Sequence, residues 1–518
     1  MIFDNLSNGY NYISSKLNRG YHCISYNTKS FIYGNFHGVR SLYLFMSIIL
    51  QVKNIIIHDL IDDENVINKL KDDIFRCGCI SIKFTQWIIS KLKGMNNAGK
   101  YKMIINKFEN IFDNCEYHDI QYTKDVFEYD FNKKLGTIFD MDNLNVIASG
   151  SIGQVYKAQF KKNRNGIHND FMIKVRHPYI DYIKFYQMIL IYFIIGIQKI
   201  NYFKVKYYLH FNLYDFIDNI NKQIDFNIEA YNCVKIYNNY IDNDLIVVPK
   251  VYNYSNNIII SSFEDGQYVD EISEYQQCKV SLNMLCLSYN MIMVDNFMHG
   301  DLHLKNWKVR PYKNTYQIIL YDFGICFEGR GVNYNKKVIE YAETQNIKEL
   351  ITLFLEDFNY DTDKEILINK MYDTFTYICK EPFNMNIVFN KLIFIFSTYN
   401  LIINNLYLNI LLFFALLEDL WKKCNIIQQD PKLIGIQNII KNQKMDIITF
   451  CNTYNIYPEL KKITEDHLQK YITDTDNHHT NNHHTDNHHT DNGMFIRHKM
   501  SKFNFSNPDD ISDDECMD

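Results

Sequence analysis

The sequence of 518 residues predicts an α+β fold. Three strand-rich stretches, at residues 146–175, 247–263 and 307–321, interrupt regions in which apolar residues recur at helical spacing. Hydrophobic residues make up 47% of the chain, so two or three packed units with a sizeable core can form.

Composition excludes some classes of function. The formal net charge is −6, from 54 Lys and Arg against 60 Asp and Glu, and a chain without a basic surplus does not indicate a nucleic-acid partner. The 12 cysteines are scattered without a Cys-x-x-Cys pair, which favours reduced thiols in an intracellular protein.

The N-terminus does not have the pattern of a targeting segment. Asp4 and Asn5 stand where a secretory signal has basic residues, and no apolar core follows them directly. We therefore expect no signal or transit peptide and an intracellular, by default cytoplasmic, protein. Residues 392–417 carry no charge and are long enough to span a bilayer, but their asparagines favour a pair of buried helices. Membrane association stays open, without a confident transmembrane span.

Residues 1–120 are expected to be mostly helical, with apolar runs at 42–50 and 80–92. Lys83 and Gln86 lie three residues apart within the second run, where such a pair is usually a solvated edge of an amphipathic helix. Residues 121–145 are polar and acidic, which indicates a connector.

A strand, a tight glycine turn and a second strand are predicted over residues 146–158. The small residues Ala148, Gly150 and Gly153 would let backbone N–H groups approach a phosphate chain. This signal is weak alone, because most glycine-rich turns are only turns.

Lys174 stands in the middle of an apolar strand at residues 171–175. Facing solvent, it would be an edge charge, whereas facing inward it needs an anionic partner such as phosphate or a carboxylate from a helix. The glycine turn upstream favours the inward orientation. Glu229 could supply that carboxylate, although a surface Glu is the simpler interpretation.

The surroundings of Glu229 predict a single helix with one packed face. Its stripe consists of residues at helical spacing, namely Ile217, Ile220, Ile224, Ile228 and Tyr231. Residues 247–252 and 258–263 then predict two strands, and residues 264–266 a crossing to a second lobe. Residues 271–298 and 333–470 are expected to be helical.

The most informative stretch is residues 299–324. Asn306 follows Asp301 after four residues, and Asp322-Phe323-Gly324 follows a predicted hairpin of residues 307–310, a Pro-Tyr-Lys-Asn turn and residues 318–321. The hairpin would return Asp322 to the side of Asp301 and Asn306. Two carboxylates and an amide oxygen in one volume suit magnesium-assisted phosphoryl transfer.

Taken in order, the motifs of residues 83–324 resemble those of the UbiB/AarF family of atypical, protein-kinase-like proteins. Residues 83–86 are similar to its Lys-x-Gly-Gln motif, with Thr85 in place of Gly. Residues 148–155 resemble its alanine-rich nucleotide loop, and residues 174–178 resemble its strand Lys and the four positions after that Lys. Further matches are its Glu-x-Asp and Glu-Ala-x-Asn pair at 223–232, with Gln223 for the first Glu, and its His-Ala-Asp-Pro-His-Pro-Gly-Asn loop at 299–306.

The resemblance implies a two-lobed, protein-kinase-like fold that binds ATP and Mg²⁺, with an added N-terminal helical segment and a helical C-terminal lobe. It implies that Lys174 contacts phosphates, Glu229 is its helix partner and Asp301 is the catalytic-loop Asp. Asn306 and Asp322 would hold the metal. The implied nucleotide-binding set is Ala148, Gly150, Ser151, Gly153, Val155, Lys174, Lys83 and Gln86.

The departures from the family are also informative. Gly150 and Gly153 stand where the family has alanines, which brings the turn closer to an ordinary kinase glycine-rich loop. If Lys83 is usually partnered by the carboxylate that Gln223 replaces, the site is less occluded in this chain. A Lys83→Ala change should then barely affect turnover.

We expect four segments: an N-terminal helical extension (1–120), a nucleotide-binding lobe (121–266), a helical lobe with catalytic and metal loops (267–470) and a disordered tail (471–518). The tail is acidic at its end and repeats Asn-His-His-Thr, where weak transition-metal binding is conceivable but a disordered repeat is favoured.

The leading interpretation is an ATP-dependent phosphotransferase or ATPase in which Asp301 orients the attacking hydroxyl or water. The alternative is an inactive nucleotide-binding scaffold that regulates a partner in lipid or quinone metabolism. A small-molecule kinase of the aminoglycoside or choline type ranks last, because it does not explain residues 83–86 or 225–232. The sequence does not identify the acceptor as a lipid, a small molecule or a protein.

Overall fold

The computed structural model describes residues 2–94, 98–109, 115–161, 170–198, 213–293, 295–312, 315–356, 358, 360, 362–380, 385–399, 401, 410 and 413. Its helices are α1 Ile2–Ile57, α2 Glu64–Cys77, α3 Cys79–Gly94, α4 Ala98–Glu109, α5 Ile120–Phe131, α6 Leu135–Ile138, α7 Ile180–Gln198, α8 Leu213–Gln223, α9 Phe226–Tyr240, α10 Glu274–Met293, α11 Val332–Glu343, α12 Ile347–Leu355, α13 Lys364–Lys380 and α14 Met385–Thr398. Its strands are β1 Asn145–Ser149, β2 Gly153–Gln159, β3 Asp170–Arg176, β4 Ile246–Val247, β5 Val251–Tyr254, β6 Ile258–Ser262, β7 Phe297–His299, β8 Trp307–Tyr312, β9 Thr315–Leu320 and β10 Cys326–Glu328.

The predicted strand, glycine turn and strand open an antiparallel five-stranded sheet. Its strand order is β1-β2-β3-β6-β5, so β3 lies at the centre. Apolar side chains alternate along β2 and β3, and those on one face are buried in a core of their own. The sheet forms the first lobe of the molecule.

The prediction of a connector at residues 121–145 is wrong. This stretch contains most of α5 and all of α6. Asp119 caps the N-terminus of α5, because its side chain accepts a hydrogen bond from the backbone N–H of Gln121. Val126, Phe127 and Leu135 are buried against the five-stranded sheet. The polar residues between them hid an amphipathic pattern.

The predicted single helix around Glu229 is two helices. Ile220 and Ile224 are buried as expected, but the helix ends there and Asp225 caps α9 by accepting from the N–H of Asn227 at 3.0 Å. Tyr231 is consequently not part of the packed stripe and is 58% exposed.

The predicted strand at residues 247–252 is divided between two sheets. β4 pairs in parallel with β9, and β5 pairs antiparallel with β6. Pro249 lies between them, where its missing N–H and fixed φ favour a break in the ladder. The chain first passes from one lobe to the other along α9, which packs in both cores before β4. Residues 248–250 then return it to the first lobe, and residues 263–266, beyond β6, lead it to the second lobe again.

The predicted hairpin after Asn306 is confirmed and is longer than expected. β8 and β9 pair from Trp307–Leu320 out to Tyr312–Thr315, and β4 completes a three-stranded sheet in the order β4-β9-β8. β7 and β10 form a second, two-stranded unit beside it. Trp307, Val309 and Ile318 anchor these strands in the core under α10.

The first four helices pack together with α7. Gly34 and Gly38 of α1 admit the rings of Tyr182 and Tyr186, because a Cβ at either glycine would overlap those rings. The prediction that the chain up to residue 120 is mostly helical is confirmed for the described residues.

Beyond β10, α11 to α14 confirm the helical prediction as far as residue 399. Three predictions lie almost wholly outside the described residues. They are the second helix of the buried pair at residues 392–417, the helices up to residue 470 and the disordered tail at residues 471–518. In the part of the chain that the structure describes, no helix is long and apolar enough to cross a membrane. The four segment boundaries stay predictions.

Candidate active site

Lys174 lies in the cleft between the two sheets and faces carboxylates from both sides. β3 directs its side chain toward α9, where the Lys174 Nζ lies 2.5 Å from Glu229 Oε1. The same Nζ lies 3.5 Å from Asp322 Oδ1, which belongs to the other lobe. The Lys174 and Glu229 side chains are only 15% and 7% exposed, so the pair suggested by the sequence is formed and largely removed from water.

The charges in this cleft shift the pKa values of the groups concerned. Burial alone would lower the pKa of Lys174, but Asp322 and then Glu229 outweigh it and raise that pKa above its ordinary value. The surrounding protein opposes ionisation of Asp322, but Lys174 and then Lys83 outweigh this effect and hold its pKa well below the usual range. The Asp322 carboxylate is thus ionised, and its side chain is still 44% exposed to the cleft.

A buried histidine holds the loop that carries Asp301. His299 Nε2 donates to the carbonyl oxygen of Tyr321 at 3.0 Å, which leaves Nδ1 to accept the backbone N–H of Asp301 at 3.2 Å. Burial lowers the pKa of His299, so the ring is neutral and its tautomer is fixed by these two bonds. His299 therefore ties the Asp301 loop to the strand end that precedes Asp322.

Asn306 is oriented by Asp301. Its Nδ2 donates to the backbone carbonyl of Asp301 at 2.8 Å and to the carboxylate Oδ2 at 3.2 Å. The backbone carbonyl of Asn306 accepts a hydrogen bond from the backbone N–H of Tyr321 at 2.9 Å. Asp301, Asn306 and Asp322 are therefore held at one end of the β8–β9 hairpin. With its amide nitrogen engaged, Asn306 keeps Oδ1 as an oxygen ligand.

The backbone at Asp322 has an uncommon conformation. Its φ is 55°, in the left-handed region that non-glycine residues seldom adopt. Asn232 of α9 donates to the carbonyl of Phe323 at 2.9 Å, and the N–H of Gly324 lies 3.4 Å from Asp322 Oδ1. These contacts hold the turn in which the Asp322 carboxylate points toward Lys174.

Five further predicted residues lie in the turn between β1 and β2 or in the strand ends beside it. Ala148 is exposed, Gly150 and Val155 are partly buried, and Ser151 and Gly153 are buried. The N–H of Gly150 donates to the Gly153 carbonyl at 3.0 Å and closes the turn.

The two glycines of this turn differ in the space around them. A Cβ at Gly153 would lie 2.8 Å from the Val175 carbonyl oxygen, whereas a Cβ at Gly150 would meet nothing nearer than 3.8 Å. Gly153 is needed for packing on β3, a reason for glycine that sequence reasoning did not give.

The oxygen atoms in the cleft fit a magnesium ion that is shared with phosphate. Mg²⁺ in such sites takes one or two carboxylates and completes its shell with substrate oxygens and water. Asp322 and Asn306 supply such ligands, and no cluster of three or more His, Cys, Asp or Glu able to hold a metal occurs among the described residues. Asp322 and Asn306 would hold such an ion and leave its other positions to phosphate oxygens and water.

Comparison with known proteins decides the family. Residues 110–345 match the ABC1 atypical kinase-like domain. These residues form a kinase-like domain of the UbiB/AarF family. The resemblance found in the sequence is thereby confirmed, and so is an α+β, kinase-like fold with many added helices.

Relatives of this UbiB-like domain are distant. The probable serine/threonine-protein kinase abkC of Dictyostelium discoideum is 29% identical over 245 residues, which cover 45% of this chain and 33% of that protein. The probable protein kinase UbiB of Actinobacillus pleuropneumoniae serotype 7 is 23% identical over 222 residues, or 41% of each chain. The matches thus span less than half the length of either relative.

Among solved structures, the complex of Rv3197 and erythromycin from Mycobacterium tuberculosis is 18% identical, with a TM-score of 0.40 over 56% of this chain and 74% of that one. A likeness this weak carries no inference about the activity of this chain.

The motif at residues 83–86 and Gln223, where this chain departs from the family pattern, bear on the site. Lys83 and Gln86 are partly buried on α3. Burial raises the pKa of Glu229 above its ordinary value, and Lys174 and then Lys83 oppose this shift. Lys83 also adds to the effect of Lys174 on Asp322. Gln223 is buried, and its Cγ would lie 3.7 Å from a Cβ placed on Gly324. The charge of Lys83 on α3 thus acts on the cleft that contains Asp322 and Glu229.

Sequence reasoning did not include Asn232 or His303 among the site residues. Asn232 lies one helical turn after Glu229 on the same buried face. A polar residue at such a position needs a hydrogen-bond partner, and this signal could have identified it. His303 Nε2 lies 3.6 Å from Asp301 Oδ2. The second His of the family loop that residues 299–306 resemble is the signal that could have identified His303.

Proposed function

We propose that this protein binds Mg²⁺ and ATP in the cleft and transfers the terminal phosphoryl group to an acceptor or to water. The observation that supports it best is the position of Lys174, which lies between a buried carboxylate on α9 and the ionised Asp322. Kinase-like sites use a strand Lys paired with a helix Glu to contact phosphates, with an Asp that binds the metal nearby. A purely structural ion pair does not require the second carboxylate.

In this proposal Glu229 holds the Lys174 ammonium where it neutralises phosphate oxygens, and burial strengthens the pairing. Asp322 and the Oδ1 of Asn306 hold the magnesium ion, which neutralises charge on the phosphates when bound. Residues 148–155 cover the nucleotide with the backbone N–H groups of the turn. Lys83 and Gln86 border the same space from α3.

Asp301 is proposed to orient the attacking hydroxyl or water. Its backbone is fixed by His299 and its carboxylate by Asn306, so little reorganisation is needed when a nucleophile arrives. The carboxylate is 29% exposed, which leaves it accessible from the cleft. As general base, Asp301 would accept the proton that the nucleophile loses.

The proposal covers three classes of acceptor for the phosphoryl group: proteins, lipids and small molecules. Both relatives described above are named as probable protein kinases, which makes a protein acceptor one class to test beside lipids and small molecules. Family links to lipid and quinone metabolism point to the other two classes.

The test is nucleotide binding and hydrolysis by the full chain, with and without Mg²⁺. We expect magnesium-dependent turnover that Asp322→Asn abolishes, while Asp270→Asn, the same change at an exposed carboxylate, leaves it intact. Binding without turnover would favour the regulatory scaffold. Absence of binding by the wild-type chain would refute the proposal.

A further inference from the structure

A chain of hydrogen bonds runs from the glycine turn into the core of the first lobe. It starts at the carbonyl of Gly150 and passes through five side chains, those of His177, His118, Thr123, Tyr156 and Gln154. The contact of His177 with the Gly150 carbonyl joins this chain to the candidate site. The chain returns to the backbone of His118, because Gln154 Oε1 accepts that N–H at 2.8 Å.

The donor and acceptor in the first hydrogen bonds follow from the Gly150 carbonyl oxygen at the start of the chain. A carbonyl oxygen only accepts, so His177 Nε2 carries the hydrogen in its 2.9 Å contact with Gly150. In a neutral ring, Nδ1 of His177 is then an acceptor. His118 Nδ1, at 2.9 Å, must therefore be the donor, and His118 is the Nδ1–H tautomer.

The rest of the chain is then determined. His118 Nε2 is an acceptor, so Thr123 donates to it at 2.9 Å and in turn accepts from the Tyr156 hydroxyl at 2.7 Å. Tyr156 accepts from Gln154 Nε2 at 2.7 Å. One arrangement of hydrogens satisfies the five side chains, and each of them is neutral.

A second proton cannot enter this chain without breaking it. With both nitrogens of His118 protonated, Thr123 could no longer donate to Nε2, and the hydrogen of its hydroxyl group would lose its acceptor in the chain. Burial, and then His177, lower the pKa of His118 to about 3, while Asp119 opposes this shift. Burial also lowers the pKa of His177.

His177 holds the turn at two points. Besides the ring contact with Gly150, its backbone N–H donates to the Ile152 carbonyl at 2.8 Å. Ser149 Oγ, at 3.5 Å from His177 Nε2, donates its own hydrogen to the Glu116 carbonyl. The segment at residues 115–118, which lies beyond the N-terminal helices, is thus bonded to the turn and its flank.

We propose that His118 is a positioning residue for the nucleotide: through His177 it fixes the Gly150 carbonyl and so the shape of the turn that covers the phosphates. This rests on the proposed function for the role of the turn, but the hold on the turn can be measured without a nucleotide. The linker between the N-terminal helices and the first lobe thereby sets the geometry of the phosphate turn.

The first experiment measures the tautomers directly in the full chain labelled with ¹⁵N-histidine, assigned with His118→Asn and His177→Asn variants. We expect a neutral Nδ1–H signal for His118 and a neutral Nε2–H signal for His177 from pH 7.5 down to pH 5.5. An Nε2–H tautomer or a protonated ring for His118 in that range would overturn the proposed order of bonds.

The second experiment breaks the chain away from the nucleotide. Thr123 is buried on α5, so Thr123→Val removes the donor to His118 without touching the cleft, and Thr123→Ser restores it. We expect faster amide hydrogen exchange over residues 148–156 and an affinity for Mg²⁺–ADP weaker by about three- to tenfold in Thr123→Val, with an unchanged turnover number. Thr123→Ser should recover both, and Thr374→Val controls for losing a buried hydroxyl elsewhere.

The outcomes separate the two proposals. An unchanged turn and affinity in Thr123→Val would overturn the positioning role. Equal losses in Thr123→Val and Thr374→Val would assign the effect to general destabilisation and overturn it as well. If the turn loosens but the wild-type chain binds no nucleotide, the proposed function fails, and the positioning role for a nucleotide fails with it.

Discussion

Breaking the Lys174–Glu229 pair should cost far more stability than breaking a surface ion pair. Removing one partner of a buried pair typically costs about 3–5 kcal/mol, because the other charge is left uncompensated. Lys174→Met leaves both Glu229 and Asp322 without their cation, so we expect a loss at the upper part of that range. Glu229→Gln leaves Asp322 at 3.5 Å from Lys174, so we expect a smaller loss of about 1.5–3 kcal/mol.

The double variant distinguishes pairing from general damage. Lys174→Met with Glu229→Gln removes both charges of the 2.5 Å contact, so its loss should be smaller than the sum of the single losses by about 1–3 kcal/mol. The free energy of unfolding is measured by urea denaturation of all four proteins. Lys157→Met is the control, because its partner Asp170 lies in a more exposed pair and its loss should be about 1 kcal/mol or less.

Additive losses in this cycle, or a Glu229→Gln variant within about 0.5 kcal/mol of wild type, would refute the reasoning. Either result would mean that water or a neighbouring group satisfies Lys174 as well as Glu229 does. The strand Lys would then have no requirement for its helix partner in the folded chain.

Three further predictions concern the turn, the histidine chain and the extension. Gly153→Ala should lower the free energy of unfolding by about 1–3 kcal/mol because its Cβ meets the Val175 carbonyl, whereas Gly150→Ala should leave it nearly unchanged; thermal unfolding compares the two. As the pH falls from 6.5 toward 3, the unfolded chain protonates His118 while the folded chain excludes that proton, so the free energy of unfolding should drop by at most about 1.4 kcal/mol per pH unit from this group. Urea denaturation at pH 7.5 and 5 should show a smaller drop for His118→Asn than for wild type, and exposed His58→Asn should behave like wild type. Lys83→Ala should change nucleotide turnover little, and a large change in a steady-state assay would contradict the view that Gln223 leaves the site less occluded.

The sequence was most informative where a residue conflicted with its surroundings. A Lys inside an apolar strand has few stable solutions, so Lys174 and a helix carboxylate could be paired without coordinates. The hairpin after Asn306 was equally constrained, because turn residues separate two apolar runs of similar length.

Other features depended on contacts between distant parts of the chain. The break before Asp225 is a capping choice that a continuous apolar stripe conceals, and the division at Pro249 requires knowledge of which sheet offers a partner strand. His118 and His177 are separated by 59 positions, so no local pattern reveals their contact. Gly153 looked like a phosphate-loop glycine, and only the Val175 carbonyl shows the second reason for it.

Two of the three passages between the lobes, at residues 248–250 and 263–266, lie side by side. The N–H of Ser262 donates to the Lys250 carbonyl at 2.8 Å, and just beyond, Gln267 and Val309 exchange two backbone bonds of 2.8 Å. Both segments consist of a few residues at the ends of strands, which is the kind of position where hinges of domain closure occur. Lys174 and Asp322 belong to different lobes, so a rotation of one lobe against the other would lengthen the 3.5 Å separation of their side chains. A probe on each lobe would report such a rotation about residues 248–250 and 263–266.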